Sequence, residues 1–262
     1  MNAESQPLIL REDSAGVVTL TLNRPGARNA LSRPLMAALM EALGEAEADE
    51  AARVVVIAGA GPGFCAGHDL REVRANPGRA AYEALFAECS ALMLRIQRLR
   101  LPVIARVHGV ATAAGCQLVA TCDLAVADPG ARFATPGVNI GLFCSTPMVA
   151  LSRAVGRKAA MRMLLTGEMI GADEALRLGL VSHLAAPGAL EAETAALAAL
   201  IAAKSPLTLE IGKRAFYEQA EKETEAAYAF ASEVMTRNML ARDAEEGIDA
   251  FLQKREPVWE GR

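Results

Sequence analysis

Val54-Val55-Val56-Ile57-Ala58 is an unbroken apolar run. A strand sends successive side chains to opposite faces, so such a run needs cover on both faces. That points to a parallel sheet with helices packed against each side. Pro102 to Val107 reads as another buried strand, and Leu124 to Ala127 as a shorter one. Residues 8–12 and 16–22 read as two strands joined by a tight hairpin at Asp13-Ser14-Ala15, and Asn23-Arg24-Pro25-Gly26 as a turn. Ser32 with Pro34 just behind it opens a helix over about 33–49. Helical patterns also cover about 79–98, 145–155 and 157–166, and from 187 to the end the pattern is nearly all helix. The pattern predicts an α/β domain with a helical C-terminal part. No internal repeat and no long linker marks an independent second domain.

The 262 residues are 52% hydrophobic and 22% charged, which suits a packed core rather than a disordered chain. A net charge of −4 without a basic stripe argues against a nucleic-acid partner. Cys65, Cys89, Cys116, Cys122 and Cys144 show no CxxC spacing and read as reduced thiols. His68, His108 and His183 are scattered without metal-ligand spacing, so no metal site is expected. Met1 to Pro7 is short and polar, and the apolar stretches break before the ~18–20 residues a membrane span needs. The chain is therefore read as cytoplasmic, with no membrane partner.

Two segments carry the candidate chemistry. Gly63-Phe64-Cys65-Ala66-Gly67-His68-Asp69-Leu70 follows one buried strand and leads to a helix start, with Asp69 as its N-cap. Val107-His108-Gly109-Val110-Ala111-Thr112-Ala113-Ala114-Gly115-Cys116-Gln117-Leu118 follows the next strand and also opens a helix. Small residues let a backbone approach a ligand, and a helix start leaves N–H groups unpaired. Two such groups aimed at one oxygen form an oxyanion hole. Close strand–helix packing calls for the same residue types, so spacing alone leaves both readings open.

The chain resembles the crotonase (enoyl-CoA hydratase/isomerase) superfamily over nearly its whole length. The resemblance is carried by Thr21-Leu22-Asn23-Arg24-Pro25 with Arg28-Asn29-Ala30-Leu31, by Phe64 through Leu70, by Gly109 through Asp123, and by Phe133-Ala134-Thr135-Pro136. Thr166-Gly167-Glu168, Ala172 through Val181 and Phe251-Leu252-Gln253-Lys254-Arg255 follow in the family's order. It implies a crotonase-like spiral of ββα units over 1–200 and a helical C-terminal trimerisation region over 201–262. It also implies a homo-trimer or a dimer of trimers. The implied substrate is an acyl-CoA thioester, with coenzyme A entering as part of the substrate and no tightly bound cofactor. The His68 and Ala114 N–H groups would hold the thioester oxygen. Ala66 would receive the adenine amino group, Arg28 would lie near the coenzyme phosphates, and Lys254 would reach the coenzyme, from a neighbouring subunit in one version.

The sequence departs from the pattern where hydratases of this superfamily carry two glutamates. One position maps to Gln117 and the other to Gly137. Neither residue can act as a general acid or base, a role typically worth ~10²–10⁴ in rate. A third acidic position of the superfamily maps to Ser145. Asn139, Cys144, Ser145 and the His68 imidazole remain as candidates. A thiol near a helix start is expected to have a lowered pKa. Each candidate also has a plain reading: Cys144 as a small buried hydrophobe, Asn139 as a loop amide, Gln117 as a satisfied core amide. An acyl pocket is expected from the 79–99 helix and the 139–148 segment, with Phe86, Leu92, Met93, Leu142 and Phe143 as its apolar residues. Three functions follow: a hydratase or isomerase, a decarboxylase of a malonyl-type CoA thioester, or a non-catalytic acyl-CoA-binding regulator.

Overall fold

The structure, a computed structural model, describes residues 6–262. The polar opening stretch is thus described only from Gln6. The β strands are β1 (Ile9–Ser14), β2 (Val17–Leu22), β3 (Val54–Gly59), β4 (Val103–Val107), β5 (Val110–Thr112), β6 (Leu124–Ala127), β7 (Arg132–Ala134), β8 (Ile170–Gly171) and β9 (His183–Leu184). The core helices are α1 (Arg33–Ala48), α2 (Leu70–Ala75), α3 (Arg79–Arg98), α4 (Ala114–Thr121), α5 (Pro147–Ala154), α6 (Arg157–Thr166), α7 (Ala172–Leu178) and α8 (Leu190–Ala202). Then come α9 (Pro206–Gln219), α10 (Thr224–Met239) and α11 (Arg242–Gln253).

One sheet runs β1-β2-β3-β4-β6-β9, antiparallel only at β1–β2. A smaller sheet runs β5-β7-β8. The cover predicted for β3 is present on both faces. Val55 and Ile57 enter a core shared with Leu35 and Leu39 of α1 and Leu92 and Ile96 of α3. Val54 and Val56 enter a second core with Ile104, Val126 and Ala198 of α8. One apolar run therefore joins two helical layers through the sheet.

Several local readings shift. The hairpin turns at Ala15-Gly16 rather than Asp13-Ser14-Ala15, because Ser14 already pairs with Val17. Both turn residues have positive φ, 49° and 79°, as a two-residue hairpin with the strands' twist requires. The strands β5, β7, β8 and β9 have two or three residues each and leave too short a period to read.

The helical reading to the chain end also overshoots. α11 ends at Lys254 in the left-handed conformation, and the last residues form neither helix nor strand. Two carboxylates of α11 hold this strap. Asp243, 2% exposed, accepts from Ser205 Oγ and from the N–H groups of Glu260 and Gly261. Glu246 accepts from Arg255 at 2.6 and 2.8 Å and from Val258 N–H at 2.8 Å. Trp259 lies over Gly247 and donates Nε1–H to the Ala203 carbonyl.

α9 is pinned to the core by Lys213. Its ammonium pairs with Asp123 at 2.7 Å and donates to the carbonyls of Ile96 and Leu101. Asp123 also accepts from Tyr217 Oη–H and Val103 N–H. Removing one partner of a largely buried pair strands the other charge, typically at several kcal/mol. Lys213→Ala should cost about 3 kcal/mol in a chemical denaturation series.

Glu246 gives a pH-dependent prediction. The Arg255 hydrogen bonds, then the Val258 N–H, outweigh burial and hold its carboxyl down at about 2, against 4.5 when free. A depressed carboxyl stabilises the fold above its unfolded value, and the contribution is lost as pH falls from about 4.5 to about 2. Trp259 is the single tryptophan, so its fluorescence should report strap release across that window. Arg255→Ala should move the release to higher pH.

Candidate active site

The two Gly-rich segments are zipped together by main-chain hydrogen bonds. Cys65 N–H donates to Val110 O at 3.0 Å, Thr112 N–H donates to Cys65 O at 2.9 Å, and Phe64 N–H donates to His108 O. Thr112 Oγ1–H adds a bond to the Ala66 carbonyl. A Cβ added to Gly115 would stand 2.1 Å from Cys65 O, so no larger residue fits between the loop and α4.

The other side of the loop is held by the segment before α1. Leu31 N–H donates to Gly67 O at 2.7 Å, and Asp69 N–H donates to Leu31 O at 3.2 Å. In such a parallel bridge the intervening residue points its own polar groups the other way. His68 N–H therefore faces away from Leu31, and no acceptor for it exists among the described residues. Ala114 is the first residue of α4, and its N–H likewise has no acceptor there. Ala114 N stands 3.4 Å from where a Gly67 Cβ would be. Standard backbone lengths then put the His68 and Ala114 nitrogens within about 7 Å of each other. Between the zipper and the helix, Ala113 has φ 50° and ψ −118°, which an L-residue adopts only at a cost. Its own N–H is fixed on Ala134 O at 2.9 Å.

Asn29 locks the supporting turn. It is fully buried with φ 54°, accepts from Arg24 N–H and donates to the carbonyls of Ala60 and Gly63. Arg24 pairs with Asp69 at 2.9 Å, and Asp69 caps α2 through the N–H groups of Arg71 and Glu72. Burial opposes the Asp69 charge, but these partners win and hold its carboxyl below the usual range. Asp69 is thus a cap and an ion-pair partner. Asn29 stood in the sequence as part of a motif without an assigned task.

Ala66 and Arg28 are brought together, because Ala66 N–H donates to Arg28 O at 3.0 Å. The Arg28 side chain is exposed, with no acidic partner among the described residues. Lys254 lies elsewhere in this chain, at the end of a helix that packs on α9 and α10.

Gln117 sits one turn into α4, 4% exposed. Cys89 Sγ lies 3.9 Å from its Oε1, and its Nε2 has no acceptor among the described residues. Gln117, Ser90, Met93, Thr146 and Ala150 border a cleft of about 1300 Å³ along α3, α4 and α5 that reaches α9. Met93 borders this cleft from the edge of the core. Leu92 does not, because it is fully buried in the core. Phe86 packs edge-on against His68, ring centroids 5.9 Å apart. Both His68 ring nitrogens are buried without a partner. Desolvation outweighs the nearby Leu31 carbonyl, lowers the imidazole pKa and keeps the ring neutral.

Gly137 is not an empty position. Its added Cβ would meet Leu142 O at 2.4 Å and Cys144 Sγ at 2.8 Å. Gly137 N–H donates to Cys144 Sγ at 3.4 Å. The thiol is 7% exposed, and burial raises its pKa against that N–H bond, which reverses the lowering expected of a helix-start thiol. Asn139 is exposed and lies against Gly167 after α6. Ser145 is exposed, with its hydroxyl on Phe143 O. Gln117, His68 and Cys144 are thus uncharged, and the carboxylate that acts on the His68 ring is Glu72.

This is the architecture of the crotonase fold. An enoyl-CoA hydratase from Mycobacterium smegmatis superposes with a TM-score of 0.94 at 58% identity, covering 97% of this chain and 99% of that one. Human enoyl coenzyme A hydratase domain-containing protein 3 superposes with a TM-score of 0.93 at 45% identity, covering 96% and 100%. The chain belongs to the enoyl-CoA hydratase/isomerase family, whose model matches residues 12–262. Mouse enoyl-CoA hydratase domain-containing protein 3 is 46% identical over 98% of this chain and 86% of its own length. Escherichia coli 2,3-dehydroadipyl-CoA hydratase is 39% identical over 94% and 96%. The cytoplasmic reading does not stand, because the mouse, rat, zebrafish and human relatives are all named mitochondrial. A polar opening stretch carries no information about compartment.

Gly137→Glu tests whether a carboxylate can stand at the position that the resemblance assigns to a glutamate. Its Cβ would overlap a main-chain carbonyl that cannot swing aside. Overpacking of this kind typically costs about 1–3 kcal/mol. The variant should melt lower and gain no crotonyl-CoA hydration, read by differential scanning calorimetry and loss of enoyl absorbance.

Proposed function

We propose that this protein binds an acyl-CoA thioester and stabilises its enolate between the main-chain N–H groups of His68 and Ala114. The observation that carries the reading is the pair of unpaired N–H groups, brought close by the Cys65–Ala111 zipper and the strained Ala113. A fixed donor aimed at developing charge is worth about 2.7–4 kcal/mol. Ala66 and the exposed Arg28 would meet the adenine and the phosphates. Lys254 would reach the coenzyme from a neighbouring protomer, since its own chain holds it elsewhere. The helices from 201 onward would then form a trimerisation region beside a spiral core of 1–200. Exposed Phe216, Tyr228, Met235 and Met239 on α9 and α10 support that reading.

Within the family, hydration is the less suited reaction here. Gln117 and Gly137 provide no carboxylate, and the neutral His68 provides no charge. A second reading is favoured by this neutrality: loss of CO₂ from a malonyl-type CoA thioester. The carbon–carbon bond breaks, CO₂ leaves, and the electron pair forms the enolate that the two amides stabilise. No strong base is needed. A third reading, an acyl-CoA-binding regulator, leaves the amides to bind the thioester without turnover.

Purified protein should be given crotonyl-CoA and, separately, methylmalonyl-CoA. CO₂ release well above crotonyl-CoA hydration is the expected result. Faster hydration would reverse the order of the readings, and tight acyl-CoA binding without turnover on a wide panel would favour the regulator. Ala114→Pro removes one donor at a helix position that tolerates proline. It should lower any enolate-dependent rate by about 10²–10³-fold. An unchanged rate in a folded variant contradicts the site.

A further inference from the structure

Three buried side-chain polar atoms among the described residues have no hydrogen-bond partner: His68 Nδ1, His68 Nε2 and Thr135 Oγ1. Buried polar groups are satisfied in the great majority of cases, so each such atom calls for a cause. Two of the three belong to one ring, on the residue whose main-chain N–H is one of the two free donors. The third belongs to Thr135, which directly follows Ala134, the acceptor of the Ala113 N–H. The unmet hydrogen-bonding capacity thus lies on the segments that hold the two donor amides.

The bridge between Leu31 and His68 sets the surroundings of the ring. Residues paired in a parallel bridge send their side chains to the same face. Leu31 is fully buried in the core shared with α3. Phe86 of α3 meets the His68 ring edge-on, with 70° between the planes. Phe86 is itself 43% exposed and borders a second cleft, of about 780 Å³, with Tyr82, Ala87 and Ser90. Ser90 also borders the larger cleft that Gln117 lines. Phe86 therefore touches both the ring and open space, and turning it aside would open the ring to the cleft.

The chemistry of the ring selects what it can receive. A neutral imidazole has one donor and one acceptor nitrogen, and a hydroxyl answers both. A carboxylate offers acceptors alone and would meet the charge of Glu72, which acts on this ring and accepts from Arg33 N–H at 3.0 Å.

We propose that the His68 imidazole reads a hydroxyl on the acyl chain of a thioester held at the His68 and Ala114 amides, with Phe86 turning aside to admit it. The inference rests on the reading of the two amides as the thioester site, and it makes the His68 side chain specificity-determining. The reach is adequate. With ordinary bond lengths both ring nitrogens stand within about 6 Å of the residue's own main-chain nitrogen. A hydroxyl on the β-carbon of an acyl group stands roughly 3–5 Å from the thioester oxygen. One residue can hold the thioester oxygen by its main chain and the hydroxyl by its ring.

The test is calorimetric binding of 3-hydroxybutyryl-CoA, butyryl-CoA and malonyl-CoA to the intact protein, to His68→Phe and to His68→Gln. Butyryl-CoA differs from the first ligand only in lacking the hydroxyl. The intact protein should bind the hydroxylated ligand on the order of 10–100-fold more tightly than butyryl-CoA. His68→Phe keeps the main-chain N–H and an aromatic ring without nitrogen, and should bind the two about equally. His68→Gln keeps a donor and an acceptor and should restore part of the preference. A merely structural histidine would leave the ratio of the two affinities unchanged. A preference retained by His68→Phe overturns the proposal. Equal affinity of the intact protein for the two ligands overturns it as well, and is the result expected of a ring that holds only a buried water. Tightest binding of malonyl-CoA by the intact protein, lost in His68→Phe, assigns the ring to a carboxylate and overturns the hydroxyl. If none of the three thioesters binds, the thioester site itself fails, and the two failures are thereby distinguished.

Discussion

The contact between Gly115 and the carbonyl of Cys65 governs the candidate site. A single added carbon at Gly115 would come within 2.1 Å of that oxygen. The closeness lets the loop after β3 bond directly to β5, so that two separate strand–loop–helix units share one ladder. His68 is three residues beyond the ladder on one side, and Ala114 is three residues beyond it on the other. Their amides are left unpaired because neighbouring groups are fully used: Leu31 takes the bonds on either side of His68, and Ala134 takes the Ala113 N–H. The strain at Ala113 is tolerable because the surrounding hydrogen bonds over-determine it.

The chemistry follows from what this frame excludes. Gly137 has no space for a side chain, since Leu142 O and Cys144 Sγ fill the volume. Gln117 keeps the shape of a glutamate without its charge. The His68 imidazole is buried against Phe86 and uncharged. In the proposed function, what remains for the reaction is the pair of main-chain donors at His68 and Ala114.

Much of the architecture was legible in the sequence. The apolar run at Val54–Ala58 required cover on two faces, and Val55 and Val56 enter different cores. Ser32 caps α1 and Asp69 caps α2, as their residue types indicate. Other features depend on long-range contacts that no local pattern reports. The short strands β5, β7 and β8 exist because the loops pair with one another, not because of their propensity. The end after Lys254 is held by Asp243 and Glu246 through bonds to Glu260 and Val258, contacts 17 and 12 residues apart in the chain. The raised pKa of Cys144 needs the depth of its burial, which sequence position does not give. Asn29 was visible as a motif member, but its clamp on Ala60 and Gly63 crosses some thirty residues.

The most direct measurement is a crystal structure of the protein with a non-reacting acyl-CoA analogue bound. The account requires the thioester oxygen to sit about 2.7–3.1 Å from both the His68 and the Ala114 nitrogens. A bound analogue whose carbonyl reaches only one of those amides, or neither, would contradict it.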